Sequence, residues 1–316
     1  MKKLFIKDLK SGDILVNHSF AVKSFSKRRG KNNNEYYDLV LSDKTGTVKA
    51  KIWSDYFSSC ELNLLKEGDV ILVTGKVDSF NEDLQVIIQK FSIAKEFNPD
   101  LFIEKGERDV DHLFNYILNC VNSLEDEDIK KVIKNVFDDK HIVELYKKTP
   151  AGQVVHHNYV GGLIEHVYEM LNFAETAKNL YPSIKYSELV FGIIFHDIGK
   201  IYELNFKKAT ISRTKEGYLL GHIVLGVLFL EQKFPKNFDK EKKARLLHLI
   251  LSHHGSHENG SPVLPLTLEA QLLSYIDDIS SQVGIYSSHM RENIPNEEGF
   301  TPYNKYLGSV LYSPPK

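Results

Sequence analysis

Nine of the thirteen histidines in this 316-residue chain fall between His156 and His257, a clustering that needs a chemical reason. In the stretch SELVFGIIFHDIGK, residues 187–200, the apolar run Leu189–Phe195 leads straight into His196 and Asp197, then Gly199 and Lys200. A charged pair at the end of a buried helix is costly unless something compensates it. A divalent metal does so directly, since Asp offers a hard oxygen and His a borderline nitrogen. Taken alone, a His-Asp dipeptide is more often a helix end reaching solvent.

Its company changes that reading. His166 lies in GGLIEHV at the start of an amphipathic helix, and His222 follows Gly221 ahead of an apolar run. His253-His254 ends the apolar helix Leu246–Leu251, and Asp277-Asp278 ends Leu268–Ile276. Imidazoles and carboxylates thus stand on five separate helical segments, in the order H…HD…H…H…D. His166, His196, Asp197, His222, His253 and Asp277 together point to a divalent-metal centre.

Two kinds of element must position them. In the first ~95 residues Tyr37, Leu39 and Leu41 alternate, Asp43-Lys44-Thr45-Gly46 turns, and Val48, Ala50 and Ile52 alternate again, which reads as a hairpin. An opening strand near Ile14–Phe25, strands at Val70–Val73 and Leu84–Ile88, and a short helix within Ser54–Leu65 complete the set. Five short strands with a helix between the third and fourth match a small Greek-key barrel of the OB type. From Asp109 the period becomes helical: Val110, Leu113, Phe114, Ile117 and Val121, then Ile129, Val132, Ile133 and Val136. The expected fold class is therefore multi-domain α and β. Residues 1–95 form a five-stranded OB-fold β-barrel, 96–108 a linker, 109–284 an all-α domain and 285–316 an irregular tail.

Hydrophobic residues at 42% and charged residues at 26% are those of an ordinary globular protein. Charge is unevenly divided: residues 1–53 hold twelve Lys/Arg against five Asp/Glu, +7, leaving −9 for the rest of a chain of net −2. Such asymmetry suits one part meeting a polyanion. Cys60 and Cys120 have no CxxC spacing, which fits a reducing cytosol. With no apolar run long enough for a signal peptide or a membrane span, the expected location is cytoplasmic, with no membrane partner.

The order and contexts of these residues resemble the HD-domain metal phosphohydrolase superfamily. With the barrel in front, the whole chain is similar to the YhaM-type 3′→5′ exoribonucleases. The stretches that carry the resemblance are YDL…DKTG with Trp53, HHNYVGGLIEH, HDIGK, GHI, SHHG, GSP and YIDD. It implies that His166, His196, Asp197 and Asp277 hold one metal. Asp197 bridges to a second, completed by His222 and His253, with His254 a further ligand. Two ions sharing one carboxylate acidify a water between them and stabilise both sides of an in-line displacement. Among the two divalent ions, Mn²⁺ leads, with Co²⁺, Fe²⁺ and Zn²⁺ also suited to a histidine-rich shell. Asp197 and Lys200 are the catalytic candidates, although Lys200 reads equally well as a helix-end charge. His156, His157 and His257 are candidates for the substrate side. The family's usual Leu-Asp-Ala-Lys after the Asp pair is here Ile279-Ser280-Ser281-Gln282, which leaves substrate-side contacts near Ser280 and Gln282 in question.

In the barrel, Lys23, Lys27, Arg28, Arg29 and Lys31 crowd one stretch without an acid, expected as a mobile loop between the first two strands. Lys49 and Lys51 point outward beside Tyr36 or Trp53. Cations for phosphates and aromatic faces for bases make a sequence-tolerant single-strand site. The partner is then single-stranded RNA, with single-stranded DNA admitted, and a homo-oligomer is left open. The expected activity is removal of 3′-terminal nucleotides as 5′-monophosphates, its direction and product implied by the resemblance. Two rivals stand beside it. One is hydrolysis of a small nucleotide (a cyclic dinucleotide or dNTP), and the other is a non-catalytic single-stranded nucleic-acid-binding protein.

Overall fold

Apolar residues at every second position give five strands one buried and one open face, and the barrel follows from closing that sheet. In the computed structural model, which describes residues 4–30, 33–80, 83–152, 157–206 and 209–314, the strands are β1 (Ile14–Arg29), β2 (Glu35–Asp43), β3 (Gly46–Trp53), β4 (Val70–Phe80) and β5 (Asp83–Ile93). They close in the order β1-β2-β3-β5-β4, with β4 returning to β1. The β3–β5 pairing is parallel and the others antiparallel. β1 serves two neighbours, pairing with β4 up to Ala21 and with β2 from there to Arg29. Register shifts at Leu15/His18 and Val22/Ser24 give it the bend that closure requires. Phe20, Leu39, Leu41, Ile52, Ile71 and Phe91 fill the interior.

Two expectations for this unit are corrected. The basic run expected in a loop is strand as far as Arg29, paired Lys27 to Tyr37, Arg28 to Tyr36 and Arg29 to Glu35. On such a ribbon long cationic side chains reach water from either face, so polar composition does not stop the ladder. Lys31 lies outside the described residues. The helix expected within Ser54–Leu65 is two short 3-10 turns, Ser54–Ser59 and Leu62–Leu64. Neither has a side-chain cap, and a bridge from Cys60 to Phe91 holds the chain extended between them.

The chain divides into two compact units, one of residues Met1–Lys105 with Asn205–Ser212 and one of Gly106–Leu204 with Arg213–Lys316. In the first, Ala209 is buried with Ala21, Val70 and Phe102. The second consists of α1 (Val110–Asn122), α2 (Glu127–Phe137), α3 (Lys140–Lys148), α4 (Gly162–Leu180), α5 (Tyr186–Phe195), α6 (Lys200–Glu203), α7 (Lys215–Glu231), α8 (Lys240–Ser252) and α9 (Leu268–Glu292). Asp109, Asp126, Asp139 and Asp239 cap α1, α2, α3 and α8 through backbone N–H groups. α5 is buried along Glu188–Phe195 and packs against α2, α4, α8 and α9. A two-stranded sheet of β6 (Leu204–Asn205) and β7 (Ser212–Arg213) interrupts the expected all-helical pattern. α9 also runs past 284, and the helix yields only at Asn293, two residues before Pro295. No helix among the described residues is long and apolar enough to cross a membrane.

Barrel closure depends on Gly75, where a Cβ would sit 2.1 Å from the Ile87 carbonyl oxygen of β5. Gly75→Ala is expected to lower stability by about 3 kcal/mol. Denaturant titration followed by Trp53, the chain's single tryptophan and a barrel residue, checks this through an earlier midpoint.

Candidate metal centre

The six residues singled out by type and spacing come together in the second unit, and helix ends are what deliver them. α5 terminates at His196, whose own N–H donates to Gly192 O and whose ring Nδ1 lies 2.9 Å from Ile193 O. α8 ends the same way at His253, with Nδ1 2.8 Å from Ile250 O. His254 Nδ1 is 2.9 Å from Asn259 O. A carbonyl oxygen only accepts, so each Nδ1 carries the proton and each Nε2 keeps its lone pair. His222 follows Gly221, whose φ of 71° kinks α7, and its Nδ1 stands 3.2 Å from the buried Glu203 Oε2. His166, on α4, has Nδ1 2.9 Å from Ser280 Oγ.

The Nε2 atoms converge on Asp197. Its Oδ2 lies 3.2 Å from His196 Nε2, and its Oδ1 lies 3.4 Å from His222 Nε2 and 3.8 Å from His253 Nε2. His166 Nε2 is 3.1 Å from Asp277 Oδ1 on α9. Ligand atoms of His166, His196 and Asp197 all lie within 4.8 Å of one another, as do those of His222, His253 and His254. Asp197 thus stands between two groups. A close approach brings the second group in: a Cβ on Gly199 would meet the His222 carbonyl oxygen at 1.9 Å.

The donor set fits a divalent metal. His196 Nε2, Asp197 Oδ1, His222 Nε2 and His253 Nε2 are buried and make no hydrogen bond among the described residues. Each buried acceptor left so costs about 1–3 kcal/mol. Lone pairs facing a carboxylate at these distances repel unless a cation lies among them, and imidazole nitrogen with carboxylate oxygen suits a first-row divalent ion.

Electrostatics favour the metal-binding form at Asp197, Asp277, His253 and His254, though not at His196. Burial would raise the Asp197 carboxyl, but Lys200, His196 and His222 outweigh it and hold it well below the usual carboxylate range. Asp277 is likewise lowered, its neighbours His166, His196 and His253 outweighing its burial. Burial, then His254 and His196, push His253 well below the ordinary imidazole value. Burial and His222 also lower His254. His196 moves up, since Asp197 outweighs its burial. Lys200 Nζ donates to Asp197 Oδ2 at 2.6 Å and to Ala151 O. That places its ammonium on the shared carboxylate, not on the free carbonyls of a helix end.

Of the substrate-side candidates, His157 is buried, its ring 5.8 Å from that of His166 and its Nε2 3.5 Å from Glu169 Oε1. His257 belongs to neither group, and its Nδ1 donates to Ser261 O. His156 lies outside the described residues. Sequence reasoning missed Glu203, Glu165 and Glu169. The first two are buried acids in otherwise apolar stretches, a signal that could have drawn notice. With His157, Glu165 and Glu169 form a third cluster. Arg108, 3.2 Å from Glu165 Oε1, and the Tyr159 hydroxyl, donating to Glu165 Oε2, make it an ion-pair network.

On the barrel, register puts Arg28, Tyr36 and Trp53 in one cross-strand row and Asp38 with Lys51 in the next, all on one face. Lys51 Nζ lies 5.2 Å from the Tyr36 ring, 5.5 Å from Trp53 and 5.8 Å from the exposed Phe80. Lys27 and Arg29 alternate to the opposite face, where both pair with Glu35. Lys49 is paired with Asp83 at 2.7 Å, and Lys23 is exposed at the β1 bulge.

A neutral buried His253 links stability to pH. The folded metal-free protein leaves it unprotonated, whereas the unfolded chain takes up a proton below about pH 6.5. The unfolded state then binds more protons, so this contribution is lost as pH falls below that point. His253→Asn, which keeps a donor for Ile250 O, is expected to flatten the loss of metal-free stability between about pH 7 and 5. Urea midpoints across that range measure it.

Comparison with known proteins agrees with both units. Residues 163–282 match the HD domain, and residues 20–94 match an OB-fold nucleic acid binding domain. The chain is 32% identical over 286 residues to the 3′-5′ exoribonuclease YhaM of Bacillus subtilis, covering 89% of this chain and 90% of that protein. Among solved structures, the second OB-fold domain of replication protein A from Methanococcus maripaludis is 18% identical, covering 30% of this chain and 97% of its own, with a TM-score of 0.24. An OB domain from Methanosarcina mazei is 22% identical, covering 33% and 94%, with a TM-score of 0.25. With an OB-fold and an HD domain matched in this chain and nearly its full length aligned with YhaM at 32% identity, the chain belongs to the YhaM family.

Proposed function

We propose that this chain is a divalent-metal-dependent 3′→5′ exoribonuclease that shortens single-stranded RNA to 5′-mononucleotides in the cytoplasm. The observation that carries the reading is the set of buried, unpartnered acceptor atoms around Asp197. They stand in a chain aligned along 89% of its length with a 3′-5′ exoribonuclease. In the proposed division of labour, residues 1–95 grip the strand and residues 109–284 cut it.

His166, His196, Asp197 and Asp277 would hold one ion, and Asp197, His222, His253 and His254 a second. Five imidazoles favour Mn²⁺, Co²⁺, Fe²⁺ or Zn²⁺ over Mg²⁺, with Mn²⁺ first. Such ions supply Lewis acidity to the scissile phosphate and to the attacking water. Asp197 would be shared by both groups of imidazoles, and Lys200 keeps its carboxylate ionised and fixed. On the barrel, Tyr36, Trp53 and Phe80 offer ring faces to bases while Lys51 and Arg28 meet phosphates. Because every base has a π-face, single-stranded DNA fits the same platform.

Incubating 5′-labelled single-stranded RNA with Mn²⁺ tests the activity. Wild type is expected to yield progressive shortening, and Asp197→Ala to slow it by about 1000-fold or more, roughly 4 kcal/mol of barrier. Intact oligonucleotides alongside hydrolysis of a free nucleotide would move the assignment to a small-nucleotide phosphohydrolase. For the barrel, Arg28→Ala and Lys51→Ala are each expected to weaken RNA binding and to reduce the salt slope by about 0.7 per lost phosphate contact. Lys27→Ala and Arg29→Ala should change it less. Equal effects from all four, read by fluorescence anisotropy over a salt series, would contradict the assigned face.

A further inference from the structure

Four imidazoles of the centre have their Nδ1 protons assigned by an oxygen that accepts: a carbonyl for His196, His253 and His254, and the Glu203 carboxylate for His222. His166 differs, because its Nδ1 faces the hydroxyl of Ser280, which could donate or accept. A second contact removes the ambiguity. Ser280 Oγ lies 2.8 Å from Glu169 Oε2, and an ionised carboxylate has no proton to give. Glu169 is held as a carboxylate beside His157 Nε2 at 3.5 Å and Arg108 Nη1 at 3.9 Å. The single hydroxyl proton therefore goes to Glu169, and Oγ turns a lone pair to His166. Nδ1 must then donate, which leaves Nε2 unprotonated toward Asp277 Oδ1, 3.1 Å away.

We infer that Ser280 is a positioning residue which, through Glu169, fixes the tautomer and ring orientation of His166 so that Nε2 is presented to the metal. Ser280 is 2% exposed, and its hydroxyl meets His166 Nδ1 and Glu169 Oε2, so it acts through His166. This deepens the two-ion reading of the same site and rests on it. The serine at 280, which the sequence marks as a departure, thus keeps an acceptor for Nδ1, with Glu169 supplying the direction that a hydroxyl lacks.

The test has a readout that needs no metal. In metal-free full-length protein labelled with ¹⁵N-histidine, long-range ¹H–¹⁵N spectra distinguish the two tautomers, and His166→Gln identifies the His166 signals. Wild type is expected to show the Nδ1–H form at His166. Ser280→Ala is expected to move it toward Nε2–H, donating to Asp277, and to weaken Mn²⁺ binding by calorimetry roughly 10–100-fold. Ser280→Asp, which restores an acceptor, should recover both. An Nε2–H form in wild type overturns the inference, and so does an unchanged tautomer in Ser280→Ala, whatever its affinity. If Ser280→Ala does not fold, the wild-type spectrum together with Ser280→Asp decides. A wild type that takes up neither Mn²⁺, Co²⁺ nor Zn²⁺ refutes the metal reading, while the ring-nitrogen result still judges Ser280.

Discussion

The hydrogen bond from imidazole Nδ1 to a fixed acceptor is the interaction on which the centre depends. At His196 and His253 the acceptor is the carbonyl three residues back, in the last turn of α5 and of α8, where the helix ladder leaves carbonyls without N–H partners. One bond thus satisfies a helix end, sets the tautomer and aims Nε2 at Asp197. Rotating either ring would break it and bury an unpaired carbonyl, so orientation and helix termination stabilise each other. The assembled set of lone pairs is unfavourable by itself, which is why it makes sense chemically only around a cation.

Everything else in the helical unit serves to bring those helix ends to one place. α5 is apolar on every side because it runs through the middle, and Tyr146 fixes its end by donating to Ile194 O at 2.8 Å. Gly199 and Gly221 do what side chains would prevent. The first lets the turn after Asp197 approach the backbone of His222, and the second admits the positive φ that turns α7 there. In the barrel unit, strand alternation separates the filled interior from an outer face where cations and aromatic rings share a row.

Much of this was legible in sequence because it is written in local patterns. The alternation from Tyr37 to Ile52 gave the hairpin, and an apolar run ending in His196-Asp197 gave the buried helix end. What escaped was tertiary. Ser280 and His166 are 114 positions apart, and nothing around either residue announces the other. Glu169 looks in sequence like an ordinary helix acid, and Glu203 shows only as an acid among apolar neighbours; the folded chain alone puts one behind Ser280 and the other behind His222. The basic stretch misled for the opposite reason, since a polar composition suggested a loop where pairing with Glu35–Asp38 extends the ladder.

The two kinds of Nδ1 acceptor also divide the centre by how it can change over evolutionary time. Backbone carbonyls behind His196, His253 and His254 are present whatever side chain occupies positions 193, 250 or 259, so the aim of those rings is robust to substitution there. His166 and His222 depend on side chains at 280, 169 and 203, where a single codon change alters the basicity and pointing of a ligand without touching the ligand itself. The centre therefore combines a half whose aim is set by the backbone and a half whose aim is set by replaceable side chains.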